Sequence, residues 1–195
     1  MNDDELMQRV AGGDEEAARL LVHKWERPVY AFLERMLGSR EDAQDLGQET
    51  FVRVWTEAGR YEPAGKFKSW LFKIAGNLAR SRLRRRRILS WVPFSTGVHD
   101  QSPSDVGVDT GLEREEQRQD VRRALAKLPE RQRQAIVLRN YQELSYREIA
   151  EVMGVTLPAV ESLLQRGMAA LRAELGGGGG SGKASGRAIK RKMAQ

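Results

Sequence analysis

Ser145-Tyr146-Arg147-Glu148-Ile149-Ala150-Glu151-Val152-Met153-Gly154, followed by Val155-Thr156-Leu157-Pro158, reads as one short helix, a turn and the start of a second helix. Ser145 with Glu148 three residues later makes a capping box, in which each side chain satisfies a backbone N–H of the other. Ile149, Ala150 and Val152-Met153 turn inward, and Gly154 can take the φ > 0 conformation that closes a helix without a Cβ penalty. Thr156 caps the next helix, and Pro158 falls in its first turn, where a missing N–H costs little. At about 100° per residue, Val160, Leu164, Met168, Leu171 and Leu175 form one inward stripe and leave Ser162, Gln165, Arg166 and Ala169 on the opposite face. Two helices on a glycine turn make a helix-turn-helix, whose second helix is the one that enters a DNA major groove. A plain helical hairpin with a solvated outer face is the blander alternative, although caps, turn and stripe all agree with the motif.

Outward from this motif the apolar residues keep helical spacing, with no alternating strand pattern longer than a few residues, so the fold is predicted to be all-α. Helices are expected over about 3–11, 14–37, 40–58 and from Lys66 through the arginine run, broken by Gly12-Gly13, Gly38 and the Gly59–Gly65 stretch with its Pro63. Residues 90–111 are rich in Ser, Pro, Gly, Asp and Thr without periodicity and read as a flexible acidic linker. Helices resume over 112–127, 130–140, 145–153 and 156–175. The expected organisation is therefore two small helical domains, 1–89 and 112–175, joined by the linker. The remainder, 176–195, opens Gly-Gly-Gly-Gly-Gly-Ser-Gly, carries five basic residues and no acid, and is expected to be a disordered basic tail.

Composition narrows the function classes. The 195 residues hold no cysteine and two histidines, His23 and His99, without partners at ligand spacing, so neither disulfides nor a metal site is expected. No apolar run approaches the roughly 20 residues that span a bilayer, and the acidic start Asn2-Asp3-Asp4-Glu5 does not resemble a signal peptide, so a cytoplasmic location without membrane insertion is expected. No Gly-rich phosphate loop and no nucleophile with an adjacent base occur, so no catalytic residue, cofactor or small-molecule substrate is assigned. The net charge of +6 is segregated: Lys66 to Trp91 holds nine basic residues and no acidic one, while Asp100 to Asp120 holds seven acidic and two basic. The first segment suits a polyanion.

Two faces of the N-terminal half carry chemistry. In Asp42-Ala43-Gln44-Asp45-Leu46-Gly47-Gln48-Glu49-Thr50-Phe51-Val52-Arg53-Val54-Trp55, helical spacing gathers Asp42, Asp45 and Glu49 on one side, and Leu46, Thr50 and Val54 on another. Such carboxylates fit a docking surface for a basic partner and a merely solvated face equally well. In the following helix Phe67, Leu71, Ile74 and Leu78 turn inward, while Lys73, Asn77, Arg80 and Arg84 form a stripe of about 16 Å, long enough to follow several phosphates with Asn77 at a base edge. Tyr61, Phe67 and Trp70 supply rings on which an unpaired base could stack, although Phe67 is expected in the core.

These residues resemble bacterial sigma factors of the extracytoplasmic-function group over about residues 3–175. The resemblance is carried by the Asp42–Phe51 motif with Trp55, by Phe67-Lys68-Ser69-Trp70-Leu71-Phe72-Lys73-Ile74-Ala75-Gly76-Asn77-Leu78-Ala79, and by Leu128-Pro129-Glu130-Arg131-Gln132-Arg133 leading into Leu144–Ala150. It implies that 1–89 is a sigma region 2 and 112–175 a sigma region 4, and that core RNA polymerase docks at Asp42, Asp45, Leu46, Gln48 and Glu49. It further implies that Tyr61, Lys66, Trp70, Lys73, Asn77, Arg80 and Arg84 recognise and open the promoter −10 element, with a non-template base flipped into the Tyr61–Lys66 loop. Arg147, Thr156, Ser162, Gln165 and Arg166 would read the −35 element. The linker would lie along the RNA exit channel, and an anti-sigma factor is an expected partner beside core polymerase and promoter DNA. Two positions depart from the family pattern: relatives often carry a basic residue where this chain has Glu161 and Leu163. A rival reading, a helix-turn-helix regulator that binds an operator without polymerase, accounts for Ser145–Leu175 and leaves the N-terminal motifs unexplained.

Overall fold

The computed structural model describes residues 1–90 and 112–177, so the expected linker over 91–111 and the tail beyond 177 lie outside the described residues. The described residues are helical: α1 (Asp3–Ala11), α2 (Glu15–Leu37), α3 (Arg40–Thr56), a 3₁₀ turn (Ala58–Arg60), α4 (Phe67–Ser90), α5 (Leu112–Lys127), α6 (Glu130–Asn140), α7 (Tyr146–Met153) and α8 (Leu157–Gly177).

Local chemistry accounts for most boundaries. Asn2 and Glu5 form a capping box on α1, the Asp14 carboxylate accepts from the Glu16 and Ala17 N–H groups to start α2, and Ser39 accepts from the Asp42 N–H to start α3. Gly38 ends α2 in the left-handed conformation at φ 68°. The third helix stops at Thr56, two residues short of the expected end. There the Arg60 N–H turns to the Glu57 carbonyl and the Tyr61 N–H to the Ala58 carbonyl, which tightens the chain into a 3₁₀ turn and buries Ala58. The predicted capping box of Ser145 and Glu148 is present, and Gly154 closes α7 at φ 63° with its N–H on the Ala150 carbonyl. The last helix runs two residues beyond the expected Leu175.

Helices α1 to α4 form one bundle, with Phe32, Leu33, Met36, Phe67, Leu71 and Phe72 almost wholly buried at its centre. Helices α5 to α8 form the second, around Leu125, Ile136, Leu138, Leu144 and Ile149. Trp25, Phe32, Phe67 and Phe72 meet edge to face at centroid distances of 5.2–6.2 Å, a geometry that adds to simple burial.

The two bundles also pack on each other, which the sequence did not reveal: α7 lies on α4, and α5 and α6 lie on α2. Arg133, buried in α6, donates to the Met36 carbonyl at the end of α2 and to the Ala126 and Leu128 carbonyls of its own bundle. The Gln142 amide reaches the Pro28 carbonyl at 3.4 Å, the Arg35 guanidinium lies 4.1 Å from the Tyr141 ring centre, and Lys66 pairs with Glu151 at 2.8 Å. A Cβ on Gly76 of α4 would stand 2.4 Å from Nε2 of Gln134, so any larger residue there would force the Gln134 side chain to move. Gln134 is fully buried, and neither amide atom finds a hydrogen-bond partner among the described residues. The interface thus buries an amide whose polar atoms are unmatched, which costs stability relative to a fully satisfied contact.

Candidate nucleic-acid interface

The basic run of α4 divides into two sets with different tasks. Lys73, Asn77 and Arg84 are exposed and Arg80 is half-buried, on the face opposite Leu71, Ile74 and Leu78. Arg82 and Arg86 turn the other way and both pair with the Asp42 carboxylate. Arg87 pairs with Glu130 at 2.7 Å. Within the stripe Arg80 donates to the Asn77 side-chain oxygen at 2.5 Å, an acceptor atom, so the two N–H donors of the exposed Asn77 amide are not used in this bond. Burial lowers the pKa of Arg80, as do the neighbouring Arg131 and Arg84 guanidiniums, with Glu130 opposing them. Phosphate oxygens would relieve that crowding of positive charge.

At the N-terminal end of the stripe, Tyr61 and Trp70 are half-buried with ring centres 5.1 Å apart, and Phe67 lies beneath both at 5.9 and 6.1 Å. Phe67 is 2% exposed and belongs to the core, as expected from its spacing. Lys66 is exposed at the loop's end and engaged by Glu151 of α7. The Tyr61 hydroxyl donates to Asp4 of α1. Burial, followed by this bond to a carboxylate, raises the Tyr61 pKa well above the ordinary phenol value, so the side chain remains a protonated donor.

The acidic face requires a correction. Asp42 is not an uncompensated surface carboxylate: it is 7% exposed and holds Arg82 and Arg86, tying α3 to α4. Its i, i+3 spacing from Asp45 places it at the edge of the face, where the arginines of the next helix reach it first. Leu46 is 3% exposed, so it supports the face from beneath and presents no surface of its own. Asp45 and Gln48 are exposed, and Glu49 pairs with Arg53 one turn on at 2.9 Å. Beside them lies a groove of about 420 Å³ between α2 and α3, lined by Val22, Tyr30, Phe51, Val52 and Trp55 among others. Val52 and Trp55 are 59% and 41% exposed, so an apolar strip borders the acidic one. The signal for it was present in sequence as Phe51, Val52 and Trp55, three and four residues apart and off the face of Leu46, Thr50 and Val54, but spacing alone cannot tell which of the two faces is covered.

In the second bundle Val160, Leu164, Met168 and Leu171 are buried as the stripe predicted, and Leu175 is half-buried. Gln165 and Arg166 are exposed on the outer face of α8, and Arg147 is exposed on α7. Ser162 is half-buried and its carbonyl accepts from Arg166 at 3.3 Å. The Thr156 hydroxyl accepts from the Ala159 N–H at 3.4 Å, which commits it to capping. Glu161 is exposed, whereas Leu163 is partly buried against the core. Among the described residues no group of His, Cys, Asp or Glu could hold a metal ion. No described helix is long and apolar enough to cross a membrane.

Known proteins give this geometry its context. Residues 21–88 match Sigma-70 region 2 and residues 118–171 match Sigma-70, region 4. The chain is similar to the ECF RNA polymerase sigma factor SigW of Bacillus subtilis, 30% identical over 181 residues that cover 87% of this chain and 94% of that protein. It is similar also to the ECF RNA polymerase sigma-E factor of Salmonella typhimurium, 32% identical over 178 residues covering 88% and 93%. Among solved structures it resembles CnrH, in complex with the cytosolic domain of CnrY, with a TM-score of 0.63, 26% identity, and coverage of 90% of this chain and 98% of that one. The two bundles therefore correspond to Sigma-70 regions 2 and 4, and the match over 21–88 removes the operator-binding regulator as a sufficient account. The chain belongs to the ECF sigma factors, non-catalytic subunits that direct RNA polymerase to promoters.

Proposed function

We propose that core RNA polymerase docks on the face formed by Asp45, Gln48 and Glu49 together with the apolar strip of Val52 and Trp55, with Leu46 and Asp42 holding that face in place. The stripe of exposed Lys73, Asn77 and Arg84 with half-buried Arg80 follows the −10 element, and Tyr61, Lys66 and Trp70 receive the unpaired non-template base. Arg147, Ser162, Gln165 and Arg166 meet the −35 element, with Thr156 fixing the start of the recognition helix. The domain limits are 1–89 for polymerase docking and −10 opening, 90–111 for the linker and 112–175 for −35 recognition. The protein acts in the cytoplasm, where polymerase and DNA are, under the control of an anti-sigma factor: a solved relative is seen in complex with the anti-sigma factor NepR.

The observation that carries this reading is the split of the basic run of α4, in which Arg82 and Arg86 serve the fold while Lys73, Asn77 and Arg84 remain exposed in one line. Elements centred about 25 base pairs apart are separated by about 85 Å at 3.4 Å per pair. A 24-residue α4 spans only about 36 Å, and α7 rests directly on it. Reading both elements at once therefore requires the second bundle to leave the first. Run-off transcription of fragmented host DNA with purified core polymerase tests the assignment. Discrete transcripts that need both components are expected; DNA binding without polymerase, and no new transcripts, would overturn it.

A further inference from the structure

Asp4, in the first turn of α1, stands 57 residues before Tyr61 in sequence and uses both carboxylate oxygens on the loop that leads into α4. Oδ1 accepts from the Tyr61 hydroxyl, and Oδ2 accepts from the Gly65 N–H at 2.6 Å. One side chain thus clamps both ends of the 61–66 loop, whose Gly65 sits in the left-handed region at φ 68°. The clamp has a firm base: Leu6, Met7 and Val10 of α1 are buried, and Asp3 pairs with Lys24 of α2 at 2.7 Å. A carboxylate in the first turn of a helix is already favoured by the free N–H groups there and needs no distant partner. That Asp4 nevertheless reaches the loop is a feature of tertiary structure, and its partners include the ring that faces Trp70.

We propose that Asp4 is a positioning residue for promoter opening, holding Tyr61 and Gly65 so that the loop and the Tyr61–Trp70 ring pair are set before a base is flipped into them. This rests on the assignment of the 61–66 loop to the flipped base. A loop ordered in advance spares the opening step the entropy of ordering it, and a fixed ring edge discriminates between bases better than a mobile one. Asp4 acts through Tyr61 and Gly65 and touches no nucleotide itself.

The test uses the full chain with purified core polymerase on a duplex promoter, following opening by permanganate reactivity of −10 thymines, with Asp4→Ala, Asp4→Asn, Tyr61→Phe, Tyr61→Ala and the double variant Asp4→Ala/Tyr61→Phe. Asp4→Ala, which removes two hydrogen bonds to a charged group, is expected to slow opening at least about tenfold. It should also reduce the rate ratio between the preferred and a base-substituted −10 template, while leaving affinity for core polymerase unchanged. Asp4→Asn, which keeps one acceptor oxygen, should recover part of the rate. The double variant should be no slower than Asp4→Ala, because both changes break the same contact. Wild-type opening and base discrimination in Asp4→Ala would overturn the proposal, as would equal losses in core affinity and thermal midpoint. Impaired opening in Tyr61→Ala with a normal Asp4→Ala would sink the positioning role alone, whereas normal opening in Tyr61→Ala would remove the loop assignment and Asp4's role with it.

Discussion

Gly76→Ala separates the stability of α4 from the docking of the two bundles, because it acts on them with opposite sign. Within α4, alanine in place of an interior glycine stabilises the helix by about 1 kcal/mol, whether or not the bundles are docked. Across the interface the new Cβ would stand 2.4 Å from Gln134 Nε2 and 3.8 Å from Phe32 Cζ. Gln134 is fully buried and must move; having no hydrogen-bond partner among the described residues, it loses packing and no polar contact. The cost then falls in the lower part of the range for overpacking, about 1–2 kcal/mol, which lowers the docked-to-undocked ratio roughly 5- to 30-fold. The chain contains no cysteine, so Gln44→Cys and Arg172→Cys, both at exposed positions, supply specific dye sites for single-molecule energy transfer. Gly76→Ala should shift molecules towards low transfer while raising the urea midpoint of the first bundle. Adding Gln134→Ala should restore much of the docked population, since the obstructing amide is gone. Equal docked populations in wild type and Gly76→Ala, or purely additive effects in the double variant, would refute this account of the interface.

Asp42→Ala should lower stability by about 1–3 kcal/mol in urea unfolding, less than a fully buried pair because Arg82 and Arg86 are 33% and 41% exposed and can regain water. Charge reversal with Asp45→Lys and Glu49→Lys should instead weaken core-polymerase binding at least about tenfold with little change in midpoint, as close interfacial charge pairs are worth on the order of 1.5 kcal/mol or more. Replacing Lys73, Asn77 and Arg80 with alanine should diminish the permanganate footprint far more than core binding; an unchanged footprint would remove the role given to the stripe. Ser145→Ala should cost the second bundle about 1 kcal/mol through the lost cap. The same change alters acid sensitivity. The Ser145 hydrogen bonds hold the Glu148 carboxyl below its ordinary value near 4.5, so its stabilisation is present above that pH and is lost as pH falls through the folded value. The acid limb of a pH–stability curve should therefore be shallower in Ser145→Ala.

Where a structural feature depended on neighbours along the chain, it was legible in the residues alone. The capping box of Ser145 and Glu148, the left-handed Gly154, the buried stripe from Val160 to Leu171 and the core positions Phe67, Leu71, Ile74 and Leu78 follow from spacing, because helices place residues three and four apart on one face. The order of motifs likewise carried the family. Which charges remain free was another matter. Asp42 and Asp45 look alike in sequence, yet one is held by two arginines some 40 residues away and the other faces solvent. Spacing puts Val54 with Leu46 and Thr50 and leaves Val52 on another face, but only packing decides that the first face is buried and that Val52 stays 59% exposed.

The sequence by itself determined the helices, their caps and the two-module plan, since these rest on local backbone hydrogen bonding and on the 3.6-residue period. Tertiary structure alone decided that Arg82 and Arg86 belong to Asp42, that Asp4 clamps the Tyr61–Gly65 loop, and that Gly76 admits Gln134 between the bundles. Each of those contacts joins residues 40 or more positions apart, where no periodicity reaches and the partner is chosen by how helices cross and which side chains meet first.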